Sequence, residues 1–386
     1  IAGIRMTPVL LGWKLYEITG SKLALGILGL SEVIPAILLA LPAGVKVDQS
    51  NKQRLISLCI LLYLVIMLLM LLVTSTYFLL HVPRAAVEWC IYLLVCATGA
   101  VRAFSSPAFN AFLAQLVKQE ELVRAASVNS MAWLIAAVAG PATAGLLLGS
   151  TNITTAFIIV CSMVFLSLLM IQKVPQKPVA YDPGKTKTWD SVKEGLEFVM
   201  NQKALLGSMM LDMFAVLFGG AVALLPVFAK DILHIGPQGL GWLMSATYLG
   251  NFVAIAFLTW KPLRNNQGKK LFYVVAGFGI SIIVFALSKS FMLSFAALFI
   301  SGLFDGVSVI IRGTVLQLFV PNKMRGRVSS VSSIFINSSN ELGQFESGVA
   351  ASVLGTVPSV LFGGSMTLVV TIITWFKAPG LRKLEY

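Results

Sequence analysis

Apolar blocks long enough to cross a bilayer recur along the whole chain, and that pattern leaves few folds open. Read from hydropathy, they cover 1–18, 23–45, 55–75, 88–117, 126–150, 153–172, 204–229, 238–260, 271–288, 291–320, 328–354 and 357–376. Crossing a ~30 Å hydrocarbon core takes about 20 residues of helix, so the blocks predict an all-α integral membrane protein with twelve transmembrane helices. A β-barrel would need short alternating strands, whereas 55–73 is apolar at nearly every position. The chain of 386 residues is 57% hydrophobic and 12% charged, against about 25% charged for an average soluble domain. A soluble enzyme, a disordered chain and a secreted disulfide scaffold are thereby excluded.

The basic residues choose sides. The loops after blocks 2, 4, 6, 8 and 10 and the C-terminal stretch hold 21 Lys and Arg, while the opposite loops hold Lys22, Arg84, Lys230 and Lys289. Positive-inside bias then places both termini and the long 173–203 connection in the cytoplasm. Eight acids share that face, which therefore carries the whole net charge of +13. The charge reads as a topology signal and a contact for anionic lipid; it calls for no nucleic-acid partner. Ile1 already lies inside an apolar block, so further residues upstream of it are expected.

The 173–203 connection carries Pro175, Pro178, Pro183 and Gly184, then Trp189, Val192, Leu196 and Val199 at helical spacing. It predicts a linker with an amphipathic helix at the membrane surface. The expected organisation is a six-helix bundle over 1–172, the linker over 173–203, and a second six-helix bundle over 204–386. Cys59, Cys90, Cys96 and Cys161 form no C-x-x-C pair and have only His81 and His234 for company. They read as small buried hydrophobes, and neither a metal nor a cofactor is expected.

The two halves repeat. At an offset of 203, Gly99 maps to Gly302, Arg124 to Arg327, Gly140 to Gly343 and Gly145 to Gly348, and the motif R-x-x-S-V-x-S occurs at 124–130 and 327–333. Two parallel six-helix repeats resemble the build of the major facilitator superfamily, whose substrate site lies near midplane between the repeats. Gly44-Val-Lys-Val-Asp48-Gln-Ser-Asn-Lys52-Gln-Arg54 resembles the superfamily's cytoplasmic loop signature. Gly44, Asp48, Lys52 and Arg54 match, while Asn51 stands at a usual Gly and Gln49 at a usual Arg. The resemblance implies a cytoplasmic gate. A tight helix end is expected at Gly44, with Asp48 capping the next helix and pairing with basic residues. Ala136, Gly140, Pro141, Ala144 and Gly145 resemble the superfamily's antiporter motif. Small residues and a proline also serve close helix packing, so both readings stand. Segments 11–26, 212–221 and 324–348 resemble the bacterial branch that includes enterobactin exporters and macrolide-efflux proteins, drug:proton antiporters among them. That resemblance implies a monomer in the bacterial inner membrane, working on a small molecule and protons.

Charge inside the spans is costly, ~2.5–3.5 kcal/mol per ionised group even on the lenient insertion scale. Glu32, Asp212, Asp305, Glu341, Glu346, Arg102 and Arg312 nevertheless lie there, on blocks 2, 4, 7, 10 and 11. The superfamily resemblance implies that these helices line or flank the cavity. Glu32, Asp212 and Glu341 are candidates for proton coupling. Arg102 and Asp305 are equivalent in the repeat and are expected to pair across the cavity. Ser333, Asn337, Glu341, Gln344 and Gly348 share one face of block 11. Phe104, Asn110, Phe214, Arg312, Asn337 and Gln344 are substrate-cavity candidates, with core packing as the competing role for the aromatics.

These readings favour a proton-coupled secondary exporter of small amphipathic molecules, drug-like or siderophore-like, working by alternating access. A transporter of lysolipid or other lipid-like substrates and a passive facilitator are the alternatives. An integral-membrane enzyme or receptor is remote: no H-E-x-x-H, G-x-S-x-G or Walker A motif is present.

Overall fold

The computed structural model describes residues 1–178, 188–263, 265–321 and 324–385, and within these it leaves out the side chains of 41, 48, 123, 188–192, 325, 326, 330, 333, 334 and 337. Among the described residues the regular structure is entirely helical. Twelve long helices follow the predicted blocks. These are α1 (Ala2–Thr19), α2 (Lys22–Gln49), α3 (Lys52–Val73), α4 (Arg84–Leu116), α5 (Leu122–Ser150), α6 (Ile153–Gln172), α7 (Lys203–Gly219), α8 (Gly236–Trp260), α9 (Gln267–Leu287), α10 (Phe291–Phe319), α11 (Arg325–Leu354) and α12 (Thr356–Lys377). Ten of the spans are long and apolar enough to cross a membrane by length and composition. The other two are α1, which carries Arg5, Lys14 and Glu17 within 18 residues, and α11 with its polar face.

The chain forms two compact units: Ile1–Gly20 with Ile27–Thr188, and Ser21–Gly26 with Trp189–Tyr386. One helix crossing recurs in both. In the first unit, Gly99 of α4 lies so close to α2 that a Cβ there would overlap the Glu32 carbonyl oxygen. In the second, the repeat-equivalent Gly302 of α10 faces α8, where a Cβ would overlap the Thr247 carbonyl oxygen. Small residues let helix backbones approach this closely. Three residues on, almost one turn along each helix, sit Arg102 and Asp305.

Two boundaries depart from expectation. Block 7 reads as one helix over 204–229, yet α7 stops at Gly219, and Gly220 leaves helical geometry at φ −72°, ψ 47°. The chain continues as a 3₁₀ turn Ala221–Leu224, a short helical turn and a π-turn Phe228–Ile232. The break is supported by α11: Gly220 packs on Gly343, and the Ser347 hydroxyl donates to the Gly220 carbonyl at 3.2 Å. Irregular backbone inside a membrane needs such a substitute partner. The second departure is at Gly44, where no helix ends. The α2 helix runs through it to Gln49, and the space around Gly44 is open.

The amphipathic helix Thr188–Asn201 belongs, from its second residue on, to the second unit. Val199 is fully buried in that unit's core with Leu205, Leu211 and Val328. Gly195 lies on the first turns of α11, where a Cβ would sit 3.0 Å from the Arg327 carbonyl, and Glu194 pairs with the Arg327 guanidinium. Leu196 stays exposed. Trp189 and Val192 lie outside the described side chains, and Pro183 and Gly184 outside the described residues.

Candidate functional site

The intramembrane charges are partnered inside each unit. In the first, Arg102 of α4 donates from its guanidinium to Glu32 Oε1 of α2 at 2.6 Å, one-third of each side chain remaining exposed. In the second, α10 carries both Asp305 and Arg312, seven residues or about two turns apart on one face. Arg312 pairs with Asp212 of α7, stands 3.9 Å from Asp305 through its second terminal nitrogen, and donates from Nε to the Ser308 hydroxyl at 3.1 Å. Asn251 of α8 donates to Asp305 Oδ2 at 2.8 Å. Arg102 and Asp305, expected from the repeat to pair across the cavity, each have a partner within their own unit. Equivalence in a repeat fixes register, while the partner is chosen by the neighbouring helix, α2 for Arg102 and α8 for Asp305.

The second cluster is unbalanced, two carboxylates to one guanidinium. The two acids also differ in access. The Asp212 side chain is 7% exposed and that of Asp305 33%. A cavity of about 20 Å³ lies against them, between Ala215 and Val216 of α7, Phe278 of α9 and Phe304 of α10. It has room for about one water. The arrangement sets the two carboxylates against a small cavity whose other walls, apart from Ser308, are apolar. Sequence reasoning singled out Asp212, Asp305 and Arg312 but missed Asn251 and Ser308. A lone Asn within the Tyr248–Ala256 run was the available signal for the first.

A family model described as "Transmembrane secretion effector" matches residues 2–385. The chain belongs to the major facilitator superfamily. Similar proteins include the uncharacterized MFS-type transporter YfiS of Bacillus subtilis (strain 168), 23% identical over 93% of this chain and 85% of that protein. The enterobactin exporter EntS of Escherichia coli O1:K1 / APEC is 23% identical over 76% of this chain and 70% of its own. Among solved structures, a bacterial homologue of the iron transporter ferroportin aligns at TM-score 0.73 and 14% identity over 99% of this chain and 96% of that one. The nucleoside transporter NupG aligns at TM-score 0.68 and 12% identity over 100% of this chain and 96% of that one. These structures share the fold. The protein is a multi-pass membrane transporter and not an enzyme.

In this major facilitator protein the loop signature between α2 and α3 is built of helix caps. Asn51 is the N-cap of α3, its Oδ1 accepting from Arg54 N at 3.1 Å, so the residue in the usual Gly position has its own structural work. Lys52 is buried and its ammonium donates to the Val47 carbonyl at 2.6 Å and the Ser50 carbonyl at 3.1 Å, where α2 ends. A cation there satisfies orphan carbonyls and complements the helix dipole. Gln53 reaches the Ile171 carbonyl at the end of α6, 3.1 Å. The cap expected from Asp48 is supplied by Asn51; the Asp48 side chain itself lies outside the described residues. Arg54 is exposed.

The small-residue motif serves a helix contact. A Cβ on Gly140 of α5 would lie 2.7 Å from Arg5 Cβ of α1, and the Arg5 guanidinium sits 4.4 Å above the Trp133 ring. Pro141 and Gly145 are buried beside it. Of the cavity candidates, Phe104 and Gln344 are half-buried and Asn110 is exposed. Phe214 stacks on Phe218 at 6.5 Å, which meets Phe362 edge-on at 6.3 Å. Glu341 is buried on α11, Glu346 lies beside Ser347 at the α7 break, and the Asn337 and Ser333 side chains are outside the described residues.

Proposed function

We propose that this protein is a proton-coupled exporter of small amphipathic molecules, acting by alternating access in a bacterial inner membrane as a monomer. The observation that carries the reading is the Asp212–Arg312–Asp305 cluster. One guanidinium balances one carboxylate, so the second carboxylate holds a charge that costs several kcal/mol unless it takes a proton. Asp212 anchors Arg312, and Asp305, the more accessible acid, exchanges the proton. Protonation of Asp305 makes the cluster neutral, and Asn251 keeps the carboxyl oriented in either state. Glu32, paired with Arg102, is assigned to structure in this reading.

The siderophore-like substrate class is supported by the likeness to an enterobactin exporter, at 23% identity. Cytoplasmic termini are supported by the distribution of basic loops, and export by the same likeness to an enterobactin exporter. The test is proteoliposomes loaded with a pH-reporting dye and challenged with catecholate siderophores and amphipathic dyes. Substrate should drive proton flux with the wild type. Asp305→Asn should lose that flux yet retain substrate exchange. Coupled flux that survives Asp305→Asn removes Asp305 from the mechanism, and exchange without proton flux in the wild type makes the protein a facilitator.

A further inference from the structure

A groove of about 430 Å³ opens between α9 and α12, far in character from the charged cluster. It is lined by Phe272, Tyr273, Ala276, Ile372, Trp375 and Phe376. Tyr273 and Phe376 are 63% and 73% exposed. Both helices are apolar enough to cross a membrane, so these exposed rings meet hydrocarbon. The aromatic floor is ordered: Trp375 meets Phe272 edge-on at 5.2 Å and Tyr273 at 6.1 Å.

One end of this apolar groove is basic. The Arg382 guanidinium lies over the Trp375 ring at 5.2 Å. Lys377 directly follows Phe376, Lys383 follows Arg382, and Lys269 and Lys270 occupy the first turn of α9 just before Phe272. Glu385 is the one acid in 377–385, and it accepts from Asn266 N at 3.0 Å. The basic segment is pinned in place. Gly268 N donates to the Leu384 carbonyl at 3.0 Å, Leu381 is fully buried, and a Cβ on Gly268 would overlap the Leu381 carbonyl oxygen. A fixed cluster of cations therefore stands where an apolar, aromatic groove reaches the membrane boundary.

We propose that this groove binds an anionic glycerophospholipid of the surrounding bilayer. The phosphate is held by Arg382 and Lys383, and an acyl chain lies along Tyr273, Ile372 and Phe376. Basic residues at the membrane surface attract anionic headgroups, and aromatic side chains favour the headgroup level. A zwitterionic lipid would fill the same groove but bring its own cation to a basic rim. A free phosphate would meet the rim and leave the groove unused. A soluble protein has no access to a surface that faces hydrocarbon.

The experiment is native mass spectrometry of the intact protein with added phosphatidylglycerol or phosphatidylcholine, alongside melting temperatures in each lipid. The wild type should retain phosphatidylglycerol about tenfold or more over phosphatidylcholine. Arg382→Gln with Lys383→Gln should bring that ratio near one, and Arg382→Lys should keep it. Ala276→Trp, which fills the groove and leaves every charge in place, should lower retention of both lipids several-fold. Variants are compared only after matching the wild type's elution and melting temperature in lipid-free detergent, and Arg382→Lys serves where the double variant does not fold. An unchanged ratio in the double variant overturns the proposal. So does loss of preference in Arg382→Lys, which would trace the effect to the Trp375 contact and not to charge. Undiminished retention in Ala276→Trp, or competition by glycerol phosphate as effective as the lipid itself, likewise overturns it.

Discussion

Arg312 of α10 binds Asp212 of α7 in an ion pair that the bundle buries, 13% and 7% of the two side chains remaining exposed. The same guanidinium faces Asp305 on its own helix. Its loss therefore leaves two carboxylates without their shared cation, and breaking a buried pair by removing one partner costs about 3–5 kcal/mol. Arg312→Gln should lower the melting temperature in detergent sharply. Adding Asp212→Asn should recover a substantial part, because the isosteric amide removes the stranded charge. No recovery in the double variant would show that the pair contributes nothing to the cost.

The glycines divide into two groups by what a methyl group would meet. Gly302→Ala drives a Cβ into the Thr247 carbonyl, and Gly99→Ala into that of Glu32. Each should separate a helix pair and cost about 1–3 kcal/mol, read as lower folded yield and melting temperature. Gly44→Ala meets open space inside α2 and should stabilise by about 0.5–1 kcal/mol, as for Gly to Ala within a helix. If Gly44→Ala also transports at the wild-type rate, that glycine has no part in gating.

The α2–α3 loop should tolerate little change to its caps. Asn51→Ala removes the Oδ1 acceptor for Arg54 N and should cost about 0.5–2 kcal/mol, whereas Asn51→Gly should cost only a few tenths. Lys52→Met strips the α2 carbonyls of their cation and should also destabilise. For Asp48, which the superfamily resemblance implies is part of a cytoplasmic gate, Asp48→Asn should slow turnover at unchanged expression. Equal turnover would remove Asp48 from the cycle.

Orientation can be read from the linker helix. In a background lacking Cys59, Cys90, Cys96 and Cys161, a cysteine replacing the exposed Met200 should react with an impermeant maleimide only after the cells are opened. Labelling in intact cells would invert the proposed topology.

Glu341 tests where coupling lies. With Asp305 as the exchanging acid, Glu341→Gln should keep pH-driven uptake while Asp305→Asn loses it. The opposite pattern, uptake lost in Glu341→Gln with substrate exchange intact, would move the coupling site to α11.

The twelve helices and the 203-residue repeat were legible because they rest on composition and on close-contact glycines, which leave marks at single positions. Gly99 and Gly302 look alike in sequence and do the same job in each unit. The break after Gly219 was hidden. From Met213 to Ala229 the run is unbroken by any polar side chain, and the partner that stabilises the freed Gly220 carbonyl is Ser347, 127 residues away. The charge partners were likewise hidden, since spacing along one helix says nothing about which neighbour presents Glu32 or Asn251. Asn51 read only as a departure from a motif, although an Asn three residues before the N–H it caps is itself a start signal.

The close approach at Gly302 makes α8 and α10 a single lever, and Asn251 and Asp305 travel together on it. Asp212 sits on a different arm, the helix interrupted at Gly220, so its bond to Arg312 crosses a seam that the glycine contact does not clamp. A swing of that arm would load the Arg312–Asp212 bond, whereas the Asn251–Asp305 bond lies within the helix pair that the glycine contact joins. Once the Arg312–Asp212 bond parts, the cation is left to the one acid that rides with it.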